Sequence, residues 1–194
     1  RKPLMGRLGE RLEALRARGE GALVPFLTAG DPDLDTTAAL VAVLAESGAD
    51  AIELGVPFSD PIAEGPTIQR SSERALAAGT TLHRILQLVK RIRGDVGIPI
   101  VLMGYANPFF TMGEAPFAAA AAEVGVDGVI VPDLPPEEGA DFYDAVEAAG
   151  VDPVLLAAPT TTPERLELLA RRSRGFLYYV ALTGVTGARA EMAA

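Results

Sequence analysis

Two periods of hydrophobic spacing take turns along the chain. Residues 4–16 carry Leu4, Leu8, Leu12 and Leu15 at helical spacing with Arg and Glu opposite, then stop at Gly19 and Gly21. This predicts a short amphipathic helix covering one end of the domain. A strand is predicted over 23–28, ending in the turn Gly30-Asp31-Pro32, and a helix over 35–47, ending at Gly48. Further strands are expected over 50–56, 98–105, 126–131, 153–157 and 176–182. Helices are expected over 67–78, 81–93, 114–124 and 137–149, with Ala106-Asn107-Pro108 as a loop. The last full helix is well signed. Thr162 suits its cap, Pro163 its first position and Glu164 its positive end, while Arg171, Arg172 and Arg174 approach its negative end before Gly175.

Strand and helix alternate through six cycles, the last incomplete, with no linker-like tract. Such alternation calls for an α/β fold with a parallel sheet flanked by helices. A dinucleotide-binding doubly wound sheet would show G-x-G-x-x-G after its first strand, which Thr28-Ala29-Gly30-Asp31-Pro32 does not supply. A (β/α)8 TIM barrel instead places functional polar residues at the C-terminal ends of several strands, and here those positions offer Asp31, Glu53, Tyr105, Asp133 and Thr183. The barrel is the expected architecture, with residues 1–194 as one domain. Because a complete barrel runs to about 250 residues, the chain is expected to lack roughly its last two βα units. The loops after strands 7 and 8, where barrels often bind phosphate, then lie outside it.

The stretch that draws chemical interest begins at Ala49. Alternation puts Ala51, Glu53 and Gly55 on one face of the predicted strand, and Ile52, Leu54 and Val56 on the other. The carboxylate thus shares its face with two very small side chains that leave room beside it. Burial would raise its pKa toward a value useful for proton transfer. The alternative is an inward Glu that bridges to a basic group or a structural water. Asp60 and Glu64 follow on the loop after the strand, and three carboxylates whose pKa values are separated by environment can divide acid, base and cation-stabilising roles. With no histidine or second acidic cluster beside them, no metal site is expected. Asp60 has a plainer alternative as a turn residue ahead of Pro61.

Charge and composition narrow the partners. A net charge of -9 over 194 residues argues against a nucleic-acid or anionic-membrane surface, since both need a basic field. Half of the chain (49%) is hydrophobic, enough for a sizeable core. The absence of cysteine excludes disulfides, thiol nucleophiles and thiolate metal sites, and fits a reducing cytoplasm. No secretory signal or membrane-length apolar run is seen. The first residue is Arg1 rather than Met, so the natural start is expected upstream.

Phe26, Met103, Tyr105, Leu156 and Tyr178 cluster at predicted strand ends, a set that suits ordinary packing as well as a pocket for a flat aromatic substrate. Thr183-Gly184-Val185-Thr186-Gly187 suits a mobile lid or an ordinary βα loop. His83, the single histidine, stands among Arg84, Gln87 and Lys90 in a helical run and is assigned no role, which removes a Ser-His-Asp arrangement.

Residues 52–69, I-E-L-G-V-P-F-S-D-P-I-A-E-G-P-T-I-Q, resemble the signature of the tryptophan synthase alpha chain family. Supporting segments are V-P-F-L-T-A-G-D-P at 24–32, Y-A-N-P at 105–108, G-V-I-V-P-D-L-P at 128–135 and T-G-V-T-G at 183–187. The resemblance covers nearly the whole chain, in order. It implies a barrel lyase that cleaves indole-3-glycerol phosphate to indole and glyceraldehyde 3-phosphate by a retro-aldol step. On that resemblance Glu53 is the proton-transferring acid/base. Glu64 holds the indole N–H and stabilises positive charge on the ring, and Tyr178 orients Glu53. Phe26, Met103, Tyr105, Pro132 and Leu156 line the indole pocket, with Thr186 meeting the Glu64 carboxylate on closure and Gly187 near the phosphate. The family pattern has Asp where this chain has Glu64, and the extra methylene moves the carboxylate by about 1.5 Å. The resemblance also implies no cofactor in this chain. It implies a pyridoxal-phosphate beta chain as partner in an α2β2 assembly, contacted through the carboxylate-bearing loop and the 108–113 region. Two other readings stay open: another phosphosugar-acting barrel lyase or isomerase, and a non-catalytic partner-binding barrel or inactive fragment.

Overall fold

The structure, a computed structural model, describes residues 6–180. Five strands form one parallel sheet in chain order: β1 (Phe26–Thr28), β2 (Ile52–Gly55), β3 (Ile100–Met103), β4 (Gly128–Ile130) and β5 (Asp152–Val154). Two more, β6 (Leu156–Ala157) and β7 (Tyr178–Tyr179), pair in parallel with each other. The helices are α1 (Arg7–Ala17), α2 (Leu34–Glu46), α3 (Pro66–Ala77), α4 (Leu82–Ile92), α5 (Ala106–Met112), α6 (Glu114–Val124), α7 (Ala140–Ala148) and α8 (Pro163–Arg172). Neighbouring strands in strict sequence order, with helices between them, are the consequence of right-handed βα crossovers that wrap a sheet toward a barrel.

Two layers of apolar side chains follow from the period of two in the strands. Ile52, Leu54, Ile100, Leu102 and Val129 point outward to meet Ile85, Val89, Phe117 and Phe142 from the helices. Ala51, Val101, Ile130 and Val154 point inward with Met103, Leu156 and Tyr178. Register sorts the inward positions into rows. Phe26, Glu53, Val101, Gly128 and Asp152 stand side by side, and Thr28, Gly55, Met103, Ile130 and Val154 form the next row toward the strand C-termini. Glycine at 128 leaves space that Leu8 of α1 fills: a Cβ there would stand 3.2 Å from the Leu8 side chain. The amphipathic first helix therefore plugs the N-terminal end, as its leucine spacing predicts.

Carboxylates secure that plug. Asp50 accepts the Leu23 N–H at 2.7 Å and the Arg11 guanidinium at 2.7 and 3.1 Å. Asp127 accepts the Ile100 N–H at 2.8 Å and Arg93 at 3.0 Å, and pairs with Arg7. Both carboxylates are almost fully buried, so each hydrogen bond offsets a desolvation cost.

Several expected boundaries need correction. The predicted strand 153–157 divides, because Pro153 brings no N–H and the Leu155 N–H is taken by the Ser173 hydroxyl at 3.1 Å; β5 pairs with β4, whereas β6 pairs with β7. The strand predicted over 176–182 is paired at Tyr178–Tyr179 among the described residues, since Phe176 is held in a turn by its N–H to Arg174 O. Ala106-Asn107-Pro108 opens α5 rather than forming a loop. Pro108 falls in the first turn, where a missing N–H costs nothing, and Asp133 accepts the Ala106 N–H at 2.9 Å. The helix predicted from 137 starts at Ala140, after a turn in which the Glu138 and Gly139 N–H groups bond Pro135 O. Helix α6 spans 114–124 as expected, and Thr162 caps α8 by accepting the Arg165 N–H at 3.3 Å.

Candidate active site

At the C-terminal side of the inward rows lies a cavity of about 260 Å³ lined by Phe26, Glu53, Glu64, Ile68, Met103 and Tyr178, with Val24 and Phe176 beside them. A narrower extension shares Phe26, Glu64, Ile68 and Met103 and continues to Thr28, Tyr105 and Pro132. The two carboxylates thus share one mostly apolar cleft, with Glu64 bordering both parts. Space for it comes from Gly55, where a Cβ would stand 2.5 Å from the Phe26 ring. Glycine there is a steric requirement of the pocket wall.

Glu53 faces this cleft from mid-strand, flanked in register by Phe26 and Val101, and is 5% exposed. Burial pushes its carboxyl up to about 7, and the nearby charge of Glu64 adds to the rise. Among the described residues no guanidinium or ammonium counters these two effects, so none of them supplies the basic partner that the sequence left as one alternative. A carboxyl divided near neutrality between its two forms can give or take a proton at little cost. Tyr178 shares the cavity, and burial followed by the charges of Glu53 and Glu64 raises its phenol pKa, keeping it a neutral hydrogen-bond donor.

Glu64 precedes α3 on the 58–65 loop. Its N–H bonds Pro61 O at 3.1 Å, and its carbonyl accepts the Gln69 side chain at 2.9 Å. Leu156 packs in the interior layer, opposite Tyr178 in register. The remaining strand-end acids have structural partners. Asp31 forms a fork with Arg74 at 2.6 and 2.7 Å, tying the β1–α2 turn to α3, and Asp133 caps α5. Asp60 is exposed, accepts the Ser59 hydroxyl at 2.7 Å, and is not among the residues that line the cleft. His83 is exposed against Gln87. Thr183, Thr186 and Gly187 lie outside the described residues. Sequence reasoning missed Phe58, stacked on Tyr105 at 5.3 Å, together with Val24, Ile68 and Phe176. Only Ile68 carried a cue, its place one turn into the helix after the carboxylate loop.

Residues 12–194 match the family described as tryptophan synthase alpha chain. The chain belongs to the tryptophan synthase alpha chain family. It is 55% identical over 189 residues to the tryptophan synthase alpha chain of Geobacter sp. (strain M21), covering 97% of this chain and 71% of that one. The Burkholderia mallei alpha chain is 57% identical over 185 residues, with 95% and 68% covered. Among solved structures, the alpha subunit from Legionella pneumophila superposes with a TM-score of 0.87 at 44% identity, over 91% of this chain and 68% of that one. A chain of Mycobacterium tuberculosis tryptophan synthase does so with a TM-score of 0.89 at 41% identity, over 96% and 72%. The wrapped parallel sheet described above is accordingly the (β/α)8 barrel of the alpha chain family, represented here over about 70% of its relatives' length.

Proposed function

We propose that the cleft between Glu53 and Glu64 carries out the alpha reaction of tryptophan synthase, splitting indole-3-glycerol phosphate into indole and glyceraldehyde 3-phosphate. Family membership supports a lyase of the alpha-subunit type in L-tryptophan biosynthesis. The observation that carries the assignment to this cleft is a buried carboxyl pushed up to about 7 in an apolar cavity that a second carboxylate borders.

The chemistry needs two proton movements and one bond cleavage. Indole C3 gains a proton, which turns the ring into an indolenine cation. The side-chain hydroxyl next to it loses a proton, its C–O bond becomes the aldehyde carbonyl, and the C–C bond electrons return to the ring as indole leaves. Glu53 transfers these protons, because its two forms are nearly equal in energy at neutral pH. Glu64 accepts the indole N–H and offsets the positive charge as it develops, an electrostatic effect strengthened where water is excluded. Tyr178 orients Glu53 from across the cavity. Phe26, Met103, Tyr105, Pro132 and Leu156 hold the flat ring by apolar contact. Thr186 and Gly187 belong to the same proposal, as lid partner of Glu64 and phosphate neighbour.

An alpha chain implies a beta chain. We assign the finer points on the same footing: an α2β2 assembly, no cofactor in this chain, pyridoxal phosphate in the partner, and a cytoplasmic setting. No helix among the described residues is long and apolar enough to cross a membrane. Residues 1–194 are read as one barrel domain without its last two βα units. The deciding experiment measures indole release from indole-3-glycerol phosphate by the wild type beside Glu53→Gln. Turnover in the wild type and its loss in the variant, with substrate binding retained, is the expected result. Near-normal turnover by the variant would reject the role of Glu53.

A further inference from the structure

We infer that Tyr105 is a positioning residue for Glu64, acting through the backbone of the 58–65 loop by the hydrogen bond its hydroxyl accepts from the Ala63 N–H. The inference rests on the role proposed above for Glu64.

The outer part of the loop faces solvent. Ser59, Asp60 and Ala63 are exposed, and Ile62 at the tip is 80% exposed. Its bond from Glu64 N–H to Pro61 O is internal, and the bond from Gln69 joins it to the helix that follows directly in sequence. Neither sets its distance from the barrel. Tyr105 does, in two ways. Its hydroxyl accepts the Ala63 N–H at 2.9 Å, one residue before the carboxylate, and its ring stacks on Phe58 at 5.3 Å with 28° between planes. The loop is therefore pinned near both ends by one side chain.

Tyr105 can serve as an anchor because it is itself immobilised. It is 5% exposed, it follows β3 directly, and the next residue donates its N–H to Asp133 at the end of β4. A chain of contacts thus runs from β4 through Asp133, the start of α5, Tyr105 and Ala63 to Glu64. Rigid strands at one end define where the carboxylate stands at the other. Burial raises the Tyr105 phenol pKa against the pull of the Ala63 N–H, and the charges of Glu64 and Asp133 add to the rise. A wall of the aromatic pocket needs only the ring; the hydroxyl aimed at a loop amide has a separate purpose. Positioning of this kind matters, because a displacement of about 1 Å at a catalytic group can cost on the order of 100-fold in rate.

Tyr105→Phe keeps the ring, its stacking and the pocket wall, and deletes the anchor. The test is a double-mutant cycle of Tyr105→Phe and Glu64→Ala, read by indole release and by the titration of Glu53 in carboxyl-labelled protein. Tyr105→Phe alone is expected to lower kcat by about 10-fold or more with a smaller change in KM, and to do almost nothing further once Glu64 is Ala. In the titration, Tyr105→Phe is expected to lower the Glu53 pKa as Glu64 withdraws, and to leave it unchanged in the Glu64→Ala background. Equal effects in both backgrounds, or no effect of Tyr105→Phe on either reading, would overturn the inference. Should the wild type release no indole, the functional reading fails, yet the titration arm still decides whether Tyr105 sets the spacing of the two carboxylates.

Discussion

Glu53→Gln should stabilise the folded chain, and by an amount that grows with pH. In the fold its carboxyl sits at about 7 against an ordinary value of 4.5, chiefly because burial penalises the ionised form and secondarily because Glu64 repels it. The native state therefore binds more protons than the unfolded chain between those two values. Below about 4.5 the group is protonated in both states and the wild type loses nothing. As pH rises toward 7 the unfolded chain ionises freely while the native one does not, so wild-type stability falls, and above about 7 the deficit is constant. The rise from 4.5 to about 7, at roughly 1.36 kcal/mol per tenfold change in acidity, makes that deficit about 3 kcal/mol. Gln keeps the shape and cannot ionise. The difference in unfolding free energy between variant and wild type should be near zero at about pH 4 and reach roughly 3 kcal/mol in favour of the variant by about pH 8. Asp152, which burial and then Asp127 push up to about 6, titrates in both proteins and cancels from the difference. Urea unfolding of the two proteins across this range measures it. A difference that stays flat with pH, or a variant less stable than wild type at about pH 8, would refute the picture of an uncompensated buried carboxyl held for chemistry at the expense of stability.

Three further outcomes follow from the geometry. Glu64→Asp, which withdraws the carboxylate by about 1.5 Å toward the family's usual length, should preserve or raise the rate of indole release; a loss of about 10-fold or more would mean that this cleft is built around the longer side chain. Gly55→Ala should push the Phe26 ring, 2.5 Å from the new Cβ, into the cleft; chemical denaturation should show a loss of about 1–3 kcal/mol, together with a raised KM, and an unchanged KM would show that the ring does not bound the substrate. Asp127→Ala strands Arg93, Arg7 and the Ile100 N–H at the opposite end of the strands, so unfolding should show a loss of about 3–5 kcal/mol with little change in kcat per folded molecule.

The strand face that carries Glu53 was legible because a period of two is a local property. Once 50–56 reads as a strand, the acid and its small neighbours must share a side, and the structure places that side inward. The caps at Thr162 and the leucine stripe of α1 were legible for the same reason: both depend on residues a few positions apart. Resemblance then supplied roles that spacing could not.

Partnerships across long separations were not legible. Asp31 and Asp133, like Glu53, belong to a predicted strand or the turn directly after one, and their surroundings along the chain do not tell which acid will be paired. Arg74, 43 residues from Asp31, and the Ala106 N–H, 27 residues from Asp133, convert those two acids into fasteners, whereas among the described residues no cation counters the burial of Glu53. The division of 153–157 likewise turns on the Ser173 hydroxyl, 18 residues away, and the hold of Tyr105 on the Glu64 loop spans 42. Periodicity and caps are settled by neighbours in sequence, so the chain alone determined its elements and which face each would bury. The charge state of a buried carboxyl is settled by whatever folding brings beside it, and that only the tertiary structure decided.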